Sequence, residues 1–274
     1  MKKVVAILTI ITIFLTTNLQ SQEIVRKFLK NQETTSKNEL IYVTFDNALS
    51  LVNDNISRMF GFDALDEQTQ NALREKYTRI IDKVNQEELL KIYNKCLVKE
   101  LRRYGFTVYQ QEYKVNKIKG RFNTLNVSQI EFEEFTKVDS ITGKYYTDST
   151  VYQKTLTGLR MNVWLEYNWA DTTSRKLLFI SQEITDEFIG FTEDVEGNKY
   201  ADYELTLLNP NDAYQLSDNT ARMTARYMYN FLMNKYVQEK TEGKHKYFYI
   251  IGENKKIKYS LYKTDYFEEL PIEE

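Results

Sequence analysis

"ELRRYGFTVYQ", residues 100–110, decides the fold. It holds the last turn of an amphipathic helix, one glycine and the start of a strand. Reading back from Gly105, residues Leu90, Tyr93, Leu97, Leu101 and Tyr104 recur at steps of three or four. That spacing lays one apolar stripe along a helix. Asn85 predicts its N-cap, and Glu87 and Glu88 occupy the first turn, where the helix dipole favours acids. Gly105 supplies the left-handed residue that closes such a helix. Arg102 and Arg103 fall in the last turn, where cations suit the exposed carbonyls, so neither needs a ligand to explain it.

Strands follow. "LRMNVWLEYNW" (residues 159–169) alternates strictly, with Leu159, Met161, Val163, Leu165, Tyr167 and Trp169 on one face. Half-buried strands have this pattern. "KLLFISQEI" (residues 176–184) comes after the polar turn "ADTTSR" and predicts an antiparallel hairpin. "LNVSQIEFEEF" (residues 125–135) changes phase between Val127 and Ile130, which predicts a bulge. Upstream, "ELIYVTF" (residues 39–45) reads as a strand. Asp46 is expected to cap a helix over "NALSLVNDNISRMF" that Gly61 closes, and residues 64–84 read as a second helical stretch.

A last helix is expected over about residues 218–238, with Ala221, Ala225, Met228, Leu232 and Tyr236 as its stripe. A hairpin turning near Gly252 to Lys255 ends the fold. Long amphipathic helices need a sheet to cover, and half-polar strands leave the other face wet. The expectation is therefore an α+β two-layer sandwich. It has a mixed or mostly antiparallel sheet, two principal helices on one face, and extra helices and a hairpin.

The amino-terminal "MKKVVAILTIITIFLTTNLQSQE" reads as a secretory signal, with Lys2 and Lys3 before a short apolar run and Ser21 before the cut. The organisation expected is a signal peptide over 1–21, a polar lead-in over 22–38, one α/β domain over 39–265 and an acidic tail over 266–274. The location implied is periplasmic or secreted, with no stable transmembrane segment after cleavage and no cysteine placed for lipidation. Residues 1–21 contain two lysines and no acids, so the mature chain has 35 basic and 39 acidic residues, a net charge of −4. That balance argues against a nucleic-acid partner. One cysteine, Cys96, excludes an intrachain disulfide.

Chemistry is sparse. His245 is the only histidine and sits between Lys244 and Lys246, so it suits neither a metal nor a general base. With one histidine and one cysteine, the usual zinc sites are excluded, and no glycine-rich phosphate loop is present. Cys96 lies beside the helix stripe, as a packing residue does. These observations assign no catalytic residue, no cofactor and no metal.

Two long connections hold the remaining candidates. Thr136 to Gly158 contains Tyr145, Tyr146 and Tyr152, and tyrosine offers a flat apolar face with a polar tip for binding. Thr185 to Tyr214 contains Asp194, Glu196 and Asp202 near Gly197, without the spacing of a calcium loop. Either connection is a loop or an added hairpin, and such long connections often carry function.

Together, "IYVTFDNALS", "LVKELRRYGFTVYQ", "LNVSQIEFEEF", "LRMNVWLEYNW" and "RKLLFISQEI" resemble a recurring envelope domain. It is the small α/β domain of curli-secretion-type lipoproteins, of the TolB amino-terminal region and of lipopolysaccharide-transport accessory lipoproteins. Leu97, Leu101, Gly105, Phe106 and Val108 fit its helix-to-strand junction. The resemblance implies a non-enzymatic accessory protein that binds an envelope protein in assembly, docking or transport. It transfers no catalytic residues. The alternatives are an exported carboxylate-dependent hydrolase acting on carbohydrate, and a small-molecule or lipid carrier.

Overall fold

The computed structural model describes residues 39–46, 48–59, 61–110, 120–145, 148–170, 173–193, 199–241, 247–251, 256–260 and 267–272. Strand β1 (Leu40–Phe45) is flanked by β3 (Thr107–Gln110) and by the first part of β4 (Asn123–Tyr145), parallel to both. Parallel neighbours need a crossover. Between β1 and β3 it contains β2 (Leu49–Asn53), α1 (Asp54–Ser57), α2 (Glu67–Tyr77) and α3 (Gln86–Arg103). From β4 onward the chain meanders antiparallel through β5 (Asp148–Asn168) and β6 (Arg175–Thr185). The main sheet runs β11–β6–β5–β4–β1–β3, where β11 is Glu268–Leu270 and β2 also pairs with β4. The fold is α+β, as the sequence leads one to expect.

The helix that decides the fold forms as the pattern requires. The Asn85 side chain accepts the Glu88 N–H at 3.0 Å, and Gly105 takes a positive φ of 98° after the last turn. Of the expected stripe, Tyr93, Leu97 and Leu101 are buried, while Leu90 and Tyr104 are only half-buried. Leu89 is fully buried, whereas Leu90 is half-buried and faces a groove.

The helix expected over residues 47–60 is mostly absent. Leu49 to Asn53 instead pairs with Ile130 to Glu134 of β4, and only Asp54 to Ser57 coils, capped by Asn53. An open sheet edge accepts Leu49 and Leu51 as partners, and that pairing overrides local helix preference. The gap between β1 and β2 sits opposite the bulge at Ser128, where the β4–β5 register shifts. Residues 64–84 give α2, capped by Asp66, and a short 3₁₀ turn at Ile81–Lys83.

Both long connections are hairpins. β4 and β5 stay in register out to Tyr145 opposite Asp148, while β7 (Glu187–Glu193) pairs with β8 (Lys199–Thr206). The last helix, α4 (Pro210–Thr241), begins about two turns earlier than expected. Pro210 suits a first helical position, and the Asn209 side chain accepts the Asn211 N–H at 3.0 Å. β9 (Tyr247–Ile251) and β10 (Lys256–Ser260) form the terminal hairpin.

Part of the stretch read as an acidic tail is structural. Phe267 is buried edge-on against Tyr227, and residues 268–270 pair with β6. One aromatic anchor outweighs the acids around it, because strand pairing leaves those side chains exposed.

One apolar core joins α3, α4 and the sheet. Ile41, Val43, Leu125, Ile130, Phe132, Met161, Val163, Leu165 and Leu178 are buried on the helix side. Small buried residues on α4, among them Ser217, Ala221, Thr224 and Ala225, allow α3 to approach closely. Tyr93 Oη and Thr224 Oγ1 share a hydrogen bond of 3.0 Å across that contact.

Candidate functional site

A groove of about 1090 Å³ runs along the flank of α3 that faces the ends of β1 and β3. Phe45, Leu90 and Val98 give it an apolar floor, with Asn94 and Gln110 as polar members. Lys91, Lys95, Lys99 and Arg102 form a row along one wall, and Glu87 stands at the far end. All four cations are exposed. Arg102 donates from Nη2 to the Val108 carbonyl at 3.0 Å, which ties the wall to the edge strand. Lys91 lies 3.6 Å from Glu88, an exposed pair that holds it weakly. Lys95 and Lys99 form no ion pair among the described residues.

Beneath the groove, Phe45, Ala48, Leu90, Asn94, Val127 and Ile130 surround an internal gap too small for a water molecule. It lies against the strand break and the β4 bulge. The Asn94 side-chain oxygen is itself buried, closed to solvent and without a hydrogen-bond partner. A buried amide oxygen left unpaired costs about 1–3 kcal/mol.

A second polar cluster lies inside the fold. Glu134 is buried and accepts the backbone N–H groups of Arg79, Ile80 and Ile81 at 2.7, 2.9 and 2.8 Å. Asp186, also buried, accepts two bonds from the Arg79 guanidinium and the N–H groups of Thr157 and Leu208. Burial opposes ionisation of Asp186. The bonds from Arg79, Leu208 and Thr157 outweigh it and hold the carboxyl below its ordinary range. Both carboxylates are consumed in joining five segments of chain, so this cluster is a structural clasp.

The opposite face of the sheet is polar. Asn162 Nδ2 donates to Glu131 Oε1 at 3.0 Å and to Glu133 Oε2 at 3.4 Å, and Arg160 bridges Glu133 to Glu183. Trp164 and Phe179 pack there with ring centroids 5.0 Å apart. Glu131 and Glu133 bring two carboxylates onto this one face. Glu131 and Glu133 are held by Asn162 and Arg160 rather than presented to a cleft.

The residues singled out in the sequence fall elsewhere. Tyr145 ends β4, Tyr152 lies in β5 opposite Ile141, and Asp202 lies in β8. They belong to two separate hairpins. Tyr146, Asp194, Glu196 and His245 lie outside the described residues. Cys96 sits between α3 and α4, where burial pushes its thiol up to about 12 and a hydrogen bond to Asp218 adds to the effect. It packs, as expected. Among the described residues, no group of three or more His, Cys, Asp or Glu is arranged to hold a metal ion, and no helix is long and apolar enough to cross a membrane.

Sequence reading missed the groove because α3 was read for its buried stripe. The signal was present: Lys91, Lys95 and Lys99 repeat every four residues, and like charges at that spacing weaken a helix. Glu134 was legible too, as an acid in phase with the apolar Ile130 and Phe132.

Neither a protein-family model nor a curated protein matches the chain. The geometry therefore carries the functional reading.

Proposed function

We propose that this chain is a non-enzymatic, exported accessory protein of the bacterial cell envelope that docks another envelope component in the α3 groove. The observation that carries the reading is the groove itself, an apolar floor walled by four exposed cations on a rigid helix. Pockets that bind combine an apolar lining with a few placed polar groups. The helix is anchored on both of its other sides, by α4 and by the sheet, so the wall is preorganised and little ordering entropy is lost on docking. The envelope location rests on the amino-terminal signal pattern and on the resemblance set out from the sequence.

In-cell photocrosslinking tests the reading. A photoreactive residue replaces Lys95 or Leu90, and the envelope fraction is then analysed. A discrete adduct at these positions, absent when the probe replaces Glu183 on the opposite sheet face, is the expected result. Recovery of only the uncrosslinked chain from every groove position would overturn it.

A further inference from the structure

β4 and β5 run on as a pair past the rest of the sheet. β2 leaves β4 at Glu134, opposite Asn53, and β6 leaves β5 at Gly158, opposite Thr185. From Thr136 opposite Thr157 to Tyr145 opposite Asp148, the two strands pair only with each other among the described residues. Thr136 to Ser140 are all exposed, so neither face of this stretch is covered. Val138, 61% exposed, is the most exposed large apolar side chain among the described residues. A two-stranded ribbon is marginal in water by itself.

Two sets of hydrogen bonds fix which way the β4 backbone faces. Ile130 donates its N–H to the Ala48 carbonyl at 2.8 Å, on the side away from β5. Thr157, opposite Thr136, exchanges bonds with Asp186 on its own outer side. Outward-facing residues alternate along an antiparallel pair. Thr136, Val138 and Ser140 therefore turn N–H and C=O away from β5, along an open edge. Such an edge is a template for another strand.

The side chains choose the occupant. "TKVDS", residues 136–140, has charges of opposite sign on either side of Val138 and hydroxyls outside them. A second copy running antiparallel about Val138 sets Lys137 opposite the partner's Asp139, and Asp139 opposite the partner's Lys137. These are the non-hydrogen-bonded positions of the new ladder, where facing side chains come closest. Asp139 already stands opposite Lys154 within the ribbon, so the row alternates in sign. Edge charges of one sign keep copies apart, whereas these two attract across a two-fold axis. The outer edge of β5 lacks this pattern. Lys154 is its only charge between Ser149 and Thr157, and a second copy of that stretch brings it no acid.

α1 limits the overlap. Asn55 accepts the Thr136 hydroxyl at 2.7 Å, so pairing ends at Thr136. The strong twist of two-stranded ribbons carries the strands apart beyond it.

We infer that this edge is a two-fold contact between copies of the chain. Thr136 to Ser140 of two ribbons pair antiparallel into one four-stranded sheet, through about six backbone hydrogen bonds and the reciprocal Lys137–Asp139 pairs. The contact falls below the roughly 1,200 Å² of a stable interface, so the dimer is weak and concentration-dependent. It uses none of the groove residues and does not rest on the docking reading.

Sedimentation equilibrium of the full chain tests the inference. Expected is a monomer–dimer equilibrium that weakens as salt rises. Lys137→Asp sets like charges opposite each other twice and should weaken the dimer roughly tenfold. Asp139→Lys should do the same. An equimolar mixture of the two variants pairs opposite charges again and should associate within about threefold of the native chain. Val138→Pro removes an N–H that β5 does not use, and should abolish the dimer with the fold intact by circular dichroism.

A chain that stays monomeric up to its solubility limit would overturn the inference. A dimer equally strong in Lys137→Asp and Val138→Pro lies on another surface and would overturn it too. A mixture of the charge variants that fails to associate would show that each change acts within its own ribbon, and would sink the two-fold register.

Discussion

The Arg79 guanidinium holds Asp186 through two parallel bonds, at 2.9 and 2.5 Å, across 107 residues of chain. The same Asp186 accepts the N–H groups of Thr157 and Leu208, so one carboxylate joins the α2–α3 connection, β5 and the approach to α4. Breaking a buried, hydrogen-bonded pair by removing one partner costs about 3–5 kcal/mol. Arg79 retains a third of its exposure and recovers part of that in water. Asp186→Asn is expected to lower stability at neutral pH by about 2–3 kcal/mol, read from urea unfolding. The Asp186 carboxyl is depressed when folded, so its contribution is present above the unfolded value of about 3.9 and is lost as pH falls through the folded value. The gap between the native chain and the variant should therefore narrow in acid. An equal gap at neutral and acid pH would contradict the clasp.

Glu134 supports the turn over residues 79–81 without any cation, through three backbone donors alone. Glu134→Gln replaces one accepting oxygen by an NH₂ group that faces N–H donors. The expected loss is about 2 kcal/mol, and Glu134→Leu should lose more, since all three amides are then stranded. Glu131→Gln, on the polar face three residues away, provides the comparison and should stay within about 1 kcal/mol of native. Matching urea midpoints for Glu134→Gln and Glu131→Gln would remove the structural role.

These two acids show where sequence and structure part. The main helix, the meander and the bulge were legible because each depends on local periodicity and capping, which Asn85, Gly105 and the Val127–Ile130 phase change record directly. β2 was not, because Leu49 and Leu51 are extended only through their partners on β4. The clasp required pairing Arg79 with a residue far along the chain, and no local pattern contains that. The groove lay between these cases. Its lysines were visible, but a floor of Phe45 beneath them depends on how β1 meets α3.

Phe135 lies directly over Gly158 of the neighbouring strand, with the Arg160 guanidinium stacked 4.5 Å from the ring centroid. A Cβ on Gly158 would come within 2.3 Å of that ring. Gly158→Ala is therefore expected to cost about 1–3 kcal/mol, the range for overpacking. In a Phe135→Leu background the same substitution should cost much less. A double-mutant cycle of thermal unfolding measures the coupling, and additive effects would count against the contact.

Cys96 faces α4, and burial raises its thiol to about 12, so little thiolate forms near neutral pH. Labelling by a thiol-specific disulfide reagent at mildly alkaline pH should be slow in the folded chain and rapid in denaturant. Fast labelling of the native protein would contradict the burial of this side chain between the helices.

Lys95 separates stability from binding. It stands four residues from both Lys91 and Lys99, so it takes part in two like-charge contacts on an exposed helix face. Lys95→Glu turns both into attractions, and the new Glu precedes Lys99 in the favourable orientation. Each reversed pair contributes a few tenths of a kcal/mol, giving about 0.5–1 kcal/mol in total. For a domain of this size that raises Tm by about 1–4 °C. A charge reversal on the wall of the proposed docking groove should therefore make the protein more stable, an outcome that a purely structural lysine would not produce. Differential scanning calorimetry reads the shift, and a fall in Tm would mean that Lys95 holds the fold rather than the groove.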